Sequence, residues 1–358
     1  MKDLFLLLTF ALSALQVQAQ SVSYQEETAD LDALYAKLDE AISESPRYVE
    51  KREKQIAACR DSLLKETDAE RRLVMADKLF QLYRPYRNDS ALHYADLCVS
   101  LSESLQRPDL VGRYRSLLAL QCSNTGMEAE SLEQLRKVNR SALDKRGLVD
   151  YYNAWMHLYG ELASYSQRRA ERQEYFDKQN LYRDSVMMVA PQGTEEWLHL
   201  KMDILTATRN YQDALSVSNR WLKSVKDGTH ESAYAAFYRS MVFDHLGNDE
   251  MACYWLGKSA LDDIRCAVMN QASLLFLAEK LANQGHLRHA MRYMEFSREC
   301  NIAFLPRLHT YQFNPVISII EKSRQEAQDR SFMTLIIAGS VIVLLVLALI
   351  IVILRKRR

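Results

Sequence analysis

The sequence predicts an all-α protein, a solenoid of helical hairpins followed by one C-terminal transmembrane helix. Three observations predict it. Apolar stripes of helical spacing recur along the chain, parted by short polar breaks, while only 10 glycines and 6 prolines occur, too few for turn-rich sheets. Small residues return at a steady interval: Ala214, Ala252 and Ala290 lie 38 residues apart, as in stacked hairpins whose helices cross closely. Residues 333–354, MTLIIAGSVIVLLVLALIIVIL from Met333 to Leu354, carry no charge and match the roughly 20 apolar residues that cross a bilayer as a helix.

The two ends of the chain read as addresses. Lys2 precedes an apolar run from Leu4 to Leu15, and Val17-Gln18-Ala19 fits a signal-peptidase site after Ala19. No cysteine follows that run, so no lipid anchor is available there. At the other end Arg355-Lys356-Arg357-Arg358 resists translocation and holds its side of the span in the cytoplasm. The expected layout is a signal peptide (1–19), an exported periplasmic repeat domain (20–305), a juxtamembrane linker helix (306–332), the span (333–354) and a basic cytoplasmic tail (355–358). This is the layout of a single-pass membrane protein, outside first, with its C-terminus in the cytoplasm.

Within the exported region the helices follow from spacing. Leu31, Leu34, Tyr35, Leu38 and Ile42 share one helical face, Pro46 is expected to break that helix, and a second, highly charged one turns Val49, Ile56 and Leu63 inward. Later breaks such as 87–90, 124–126, 191–193, 227–228 and 247–249 supply Asp, Ser, Asn or Thr to cap the next helix. Gly247 and Gly285 each precede their periodic Ala by five residues, Gly126 precedes Ser131 by the same five, and Ala91 lies 40 before Ser131. The last unit matches the tetratricopeptide pattern best, with Leu274, Leu277, Ala278, Leu281, Gly285, Ala290, Met294 and Ser297. The unit before it keeps Ser240, Phe243, Gly247, Ala252, Leu256 and Ser259 but places Arg239 where an apolar residue belongs, and Arg115 breaks the pattern in the same way. Residues 144–189 are off-period, with longer helices. Six to seven helical pairs are expected. Pro306 and Pro315 then interrupt the pattern, and a helix from Val316 through Gln328 runs on into the span.

Chemistry is sparse. With 46 basic and 46 acidic side chains the formal charge is zero, and nothing points to nucleic acid. None of the six cysteines stands at metal-ligand spacing. Buried free thiols are the first reading, and an even count in an oxidising compartment also permits a disulfide. His286 and His289 stand at i, i+3 but lack a third ligand in sequence. No nucleophile elbow, phosphate loop or dinucleotide fingerprint occurs, so neither catalytic nor metal residues nor a cofactor are assigned. The aromatic stripe Tyr151, Tyr152, Trp155 and Tyr159, with Tyr234 and Tyr238, is the candidate partner-binding set: on inner helices such residues line a groove, although the same spacing serves a packed core.

Residues 48–63 (YVEKREKQIAACRDSL), residues 82–95 (LYRPYRNDSALHYA), and Cys300-Asn301 leading into 314–328 and the span together resemble an uncharacterised family of Bacteroidetes membrane proteins. The resemblance implies a periplasmic tetratricopeptide-like array on one transmembrane helix. Many members continue into a cytoplasmic coiled coil and helix-turn-helix, which the present sequence lacks, and the family implies no catalytic residues. The expected function is binding of a protein or peptide in the periplasm for sensing or scaffolding, either as the sensor part of a membrane-bound transcriptional regulator or through another subunit or a homodimer. The alternatives are an envelope hydrolase on a helical solenoid and a structural subunit of a membrane complex. The bilayer is contacted through 333–354.

Overall fold

Helices begin where the chain supplies an acceptor for their free N–H groups. The side chains of Asp30, Asp68, Asp144 and Asn248 each accept from a backbone amide in the first turn of the adjoining helix, and Thr229 with Ser232 forms a reciprocal capping box. The computed structural model describes residues 29–304 and 313–356, with the backbone alone for 341–354 and a few other positions in the last helix. Its elements are α1 (Leu31–Lys65), α2 (Ala69–Tyr83), α3 (Asn88–Ser104), α4 (Pro108–Ser123), α5 (Glu128–Arg136), α6 (Lys145–Tyr165) and α7 (Arg169–Val189). Beyond them come α8 (Glu195–Ala207), α9 (Tyr211–Ser224), α10 (His230–His245), α11 (Asp249–Arg265), α12 (Ala272–Asn283), α13 (Leu287–Phe304) and α14 (Asn314–Lys356). Among the described residues every regular element is a helix.

Hairpins α2/α3, α4/α5, α6/α7, α8/α9, α10/α11 and α12/α13 stack in sequence order, in line with the expected number of pairs. The periodic small residues mark their crossings, since Ala91, Ser131, Ala214, Ala252 and Ala290 are all fully buried. Four of the turns inside the hairpins repeat one closure, in which an N–H reaches five residues back: Met127 to Cys122, Asn210 to Leu205, Asn248 to Phe243 and His286 to Leu281. This bond needs a left-handed residue at the position before the donor. Gly126, Gly247 and Gly285 fill it, and in the remaining turn Arg209 does so with φ of 60°. The two off-pattern arginines are absorbed by partners. Arg239 is buried between the rings of Trp255 and Phe243 and donates to Asn219 Oδ1 at 2.7 Å, while Arg115 donates to Gln134 and Glu103.

Helix α1 corrects the expectation that Pro46 ends a helix. It runs 35 residues with Pro46 inside it, because its two halves are gripped by different cores that outweigh the missing backbone bond and the local clash. The first half puts Leu34, Tyr35, Leu38 and Ala41 into a core with α11, α12 and α13, and the second puts Ile56, Cys59 and Leu63 into a core with α2, α3 and α4. Gly257 of α11 lets α1 approach so closely that a Cβ there would lie 2.7 Å from Leu34 Cδ2. The array is thereby closed on itself: α1 packs on both α2 and α11, Met269 N–H donates to Pro85 O at 2.8 Å, and Arg52 donates to the carbonyls of Leu82 and Cys266.

All six cysteines are free thiols, five of them buried. Helix α14 joins the C-terminal core through Val316 and Ile320 and continues as one helix to Lys356, so the part of the linker from Asn314 onward and the apolar stretch are a single element. Among the described residues no helix is long and apolar enough to cross a membrane, which does not meet the expectation of a transmembrane helix; the side chains of 341–354, over which the apolar stretch continues, are not among those described. The expected signal peptide and most of the Pro306–Pro315 interruption also lie outside the described residues.

Candidate functional site

Two helical stripes build one wall. On α8, Glu195, His199 and Asp203 follow at i, i+4 and i+8; on α10, His230, Tyr234 and Tyr238 do the same, and both sets therefore line up along one face. The His199 ring centroid stands 4.9 Å from that of Tyr238 and 6.0 Å from that of Tyr234. Beneath them Trp221 of α9, fully buried, supports both tyrosines. The tyrosine hydroxyls are 3.3 Å apart. His230 Nδ1 lies 2.7 Å from Oδ1 of Asp263, which α11 presents from the next element. Arg84, from the turn between α2 and α3, acts electrostatically on Glu195 and Tyr234. A ladder of charges continues the wall along α6 and α4, from Glu196 to Arg146 at 3.3 Å and from Arg113 to Asp150 at 2.9 Å.

Desolvation is the first cause of the shifts at Glu195, His199, Asp203 and both tyrosines of this wall. Asp203 keeps 43% of its side chain exposed, yet loss of surrounding water raises its carboxyl to about 6, against the pull of Arg183. Desolvation similarly lowers His199 to about 4, and raises Glu195, whose neighbour Glu196 adds to the effect. Tyr234 and Tyr238 are raised for the same first cause. Around His230 burial opposes the charge, but the bond and the charge of Asp263 prevail and raise it. The wall offers carboxylates, hydroxyls and an imidazole acceptor to a bound molecule, with cations at its margins.

The aromatic residues expected to bind a partner divide into two sets. Tyr151, Tyr152, Trp155 and Tyr159 meet Tyr175 and Tyr182 of α7: Trp155 and Tyr182 stack at 5.5 Å and 9°, and Tyr159 stacks on both. They form the seam inside the α6/α7 hairpin, and Trp155 is buried. Tyr234 and Tyr238 alone stand on the α8/α10 wall. Sequence reasoning missed Glu195, His199, Asp203, His230, Asp263 and Arg84. The i, i+4 stripes were visible signals, whereas Arg84 and Asp263 arrive from distant turns and gave none. Of the two histidines at i, i+3, His289 faces α1, with Nε2 3.9 Å from Asp39 and its ring against Tyr35 and Tyr293.

A second constellation has the outline of an acyl-transfer relay. Ser123 Oγ lies 3.0 Å from His157 Nδ1, and His157 Nε2 lies 3.7 Å from Glu161. Ser123 is fully buried and also donates to Leu120 O, so no substrate carbonyl can reach it.

Stacked hairpins with periodic small residues at their crossings define a tetratricopeptide-type repeat domain. Residues 42–315 match the family model of the SusR N-terminal TPR domain, more than half of the chain, and the chain belongs to that family. No curated protein matches it.

Proposed function

We propose that this is a single-pass inner-membrane protein whose exported repeat domain binds a protein or peptide on the α8/α10 wall, in a sensing or scaffolding role. The observation that carries the reading is α14. Its Val316 and Ile320 sit in the same core as α1 and α11–α13, and the helix then runs unbroken to Lys356. A packed array is thus continued by one rigid rod through an uncharged stretch of 22 residues ending in four cations, long enough to span hydrocarbon and oriented by its basic end. Tetratricopeptide-type repeats generally mediate protein interactions, and the family's description as an N-terminal domain agrees with a unit that hands its state onward along the chain. A signal peptide over 1–19, a linker over 306–332 and a basic tail over 355–358 complete the topology. A sensor half of a membrane-bound regulator is the more specific form of this reading.

Two experiments test it. Alkaline phosphatase fused after residue 330 should be active, and fused after residue 358 inactive; activity at both positions, or the reverse order, overturns the topology. Chemical cross-linking of the full chain in intact cells should recover a discrete partner that Asp203→Lys with Tyr238→Ala no longer captures. Equal capture by that variant removes the wall from the reading.

A further inference from the structure

We infer that α1 is a hinged clasp, with Pro46 as the pivot between its halves and with Arg52 and the Met269–Pro85 bond as the seam at which the closed array opens. Three independent observations place the moving parts. The two halves of α1 belong to different cores: Leu34 and Leu38 pack with α11–α13, and Ile56 and Leu63 with α2–α4. Pro46 lies between them, exposed, and removes the amide that would have bonded the carbonyl of Ile42, so the helix is least supported where the two cores part.

The seam is narrow: polar bonds cross it, together with the half-buried side chain of Met269, which packs against the core of α2–α4. The Arg52 guanidinium donates through Nη2 to Leu82 O at 2.8 Å and through Nη1 to Cys266 O at 3.1 Å, joining the end of α2 to the end of α11. Met269 N–H donates to Pro85 O at 2.8 Å, a backbone bond from the link between the fifth and sixth hairpins to the turn inside the first. Tyr86, whose ring lies under the Arg52 guanidinium, fixes the same corner by donating to Glu53 Oε1 at 2.6 Å. Bonds of this kind exchange readily for bonds to water, whereas the apolar contacts of each half of α1 do not. Separation at the seam with rotation about Pro46 therefore withdraws the half-buried Met269 side chain and leaves the buried residues of both cores in place.

The consequence concerns α14 and the wall together. Helix α14 is seated on the C-terminal core and moves with that half. Arg84 stands beside Pro85 on the N-terminal side of the seam, and Asp263, which binds His230 of the wall at 2.7 Å, stands beside Cys266 on the other. A molecule held between those sides biases the seam and with it the direction of α14. That last step rests on the proposed binding role; the clasp does not.

The test is site-resolved amide exchange on the full-length chain in detergent, comparing wild type with Arg52→Ala, Arg52→Lys and Pro46→Ala. The clasp requires that Arg52→Ala speed exchange at Met269 on the order of ten-fold or more, as loss of charge-assisted bonds from a local opening predicts. Amides in α6 and α7 keep their rates. Arg52→Lys, which offers no planar fork, falls between the two. Pro46→Ala, which restores the helix bond and folds at least as well, slows exchange at Met269. Unchanged exchange at Met269 in Arg52→Ala overturns the seam, equal acceleration in α6 and α7 shows general loosening and overturns the clasp, and no slowing in Pro46→Ala overturns the pivot. None of these readouts needs a partner or an intact membrane, so failure of the binding role leaves them standing.

Discussion

Arg209 shows how much one residue reveals about the repeat. Three of its counterparts are glycines in the left-handed region, and Arg209 holds that conformation with a Cβ, which costs roughly 1 kcal/mol. Arg209→Gly should stabilise the protein by about 0.5 kcal/mol, because relief of strain is partly offset by a more flexible unfolded chain; urea denaturation measures it, and a destabilised variant would show that the turn is not strained. Glu161 makes the pH dependence explicit. Burial and the nearby Glu128 raise its carboxyl from 4.5 to about 7. It therefore holds its proton more tightly folded than unfolded, and the stability this confers is complete below pH 4.5 and is lost as pH rises through 7. Glu161→Gln should match wild type near pH 4 and exceed it at pH 8 by on the order of 1 to 3 kcal/mol. His199 acts in the opposite sense: with its pKa lowered from 6.5 to about 4, it contributes stability above pH 6.5 that is lost as pH falls through 4. Arg239, awkward as sequence, is legible only once Trp255 and Asn219 are seen around it.

At the scale of elements, stripes and breaks were enough to find most helices, including the long pair at 144–189, since an amphipathic face and a capped start are local properties. The exception is α1. Pro46 is a valid local signal for a break, and it loses to two cores recruited from opposite ends of the array. Gly257 is the counterpart on α11, a residue with poor helix propensity placed where Leu34 crosses. Gly257→Val should cost about 1 to 3 kcal/mol through overpacking, even though Val is the better helix former, and thermal melting would show a gain instead if α1 can step aside. The aromatic residues show the limit of spacing as evidence for a site. The set on α6 and the set on α10 look alike in sequence, yet one stacks on Tyr182 within its own hairpin and the other lies beside His199 of α8.

The whole molecule is a repeat array whose ends meet. In an open solenoid each unit touches only its neighbours; here α1 ties the first hairpin to the last ones, so its first half is needed to cover Leu256, Ala260 and Tyr293. A chain lacking residues 29–45 should expose that face, bind a hydrophobic dye and associate, while exchange protection in α6 and α7 persists. A monomer with unchanged dye binding would mean that α1 is dispensable. The sequence by itself determined the helical class, the near-38-residue period, the position of the small residues at the crossings and the uncharged stretch, because each depends on residues close together in the chain. Only the tertiary structure decided the closure through α1, the survival of the helix across Pro46 and the wall shared by α8, α10 and Arg84. Those depend on which faces meet after more than a hundred intervening residues, and the free energy of apolar contact that selects them leaves no periodic trace in the sequence.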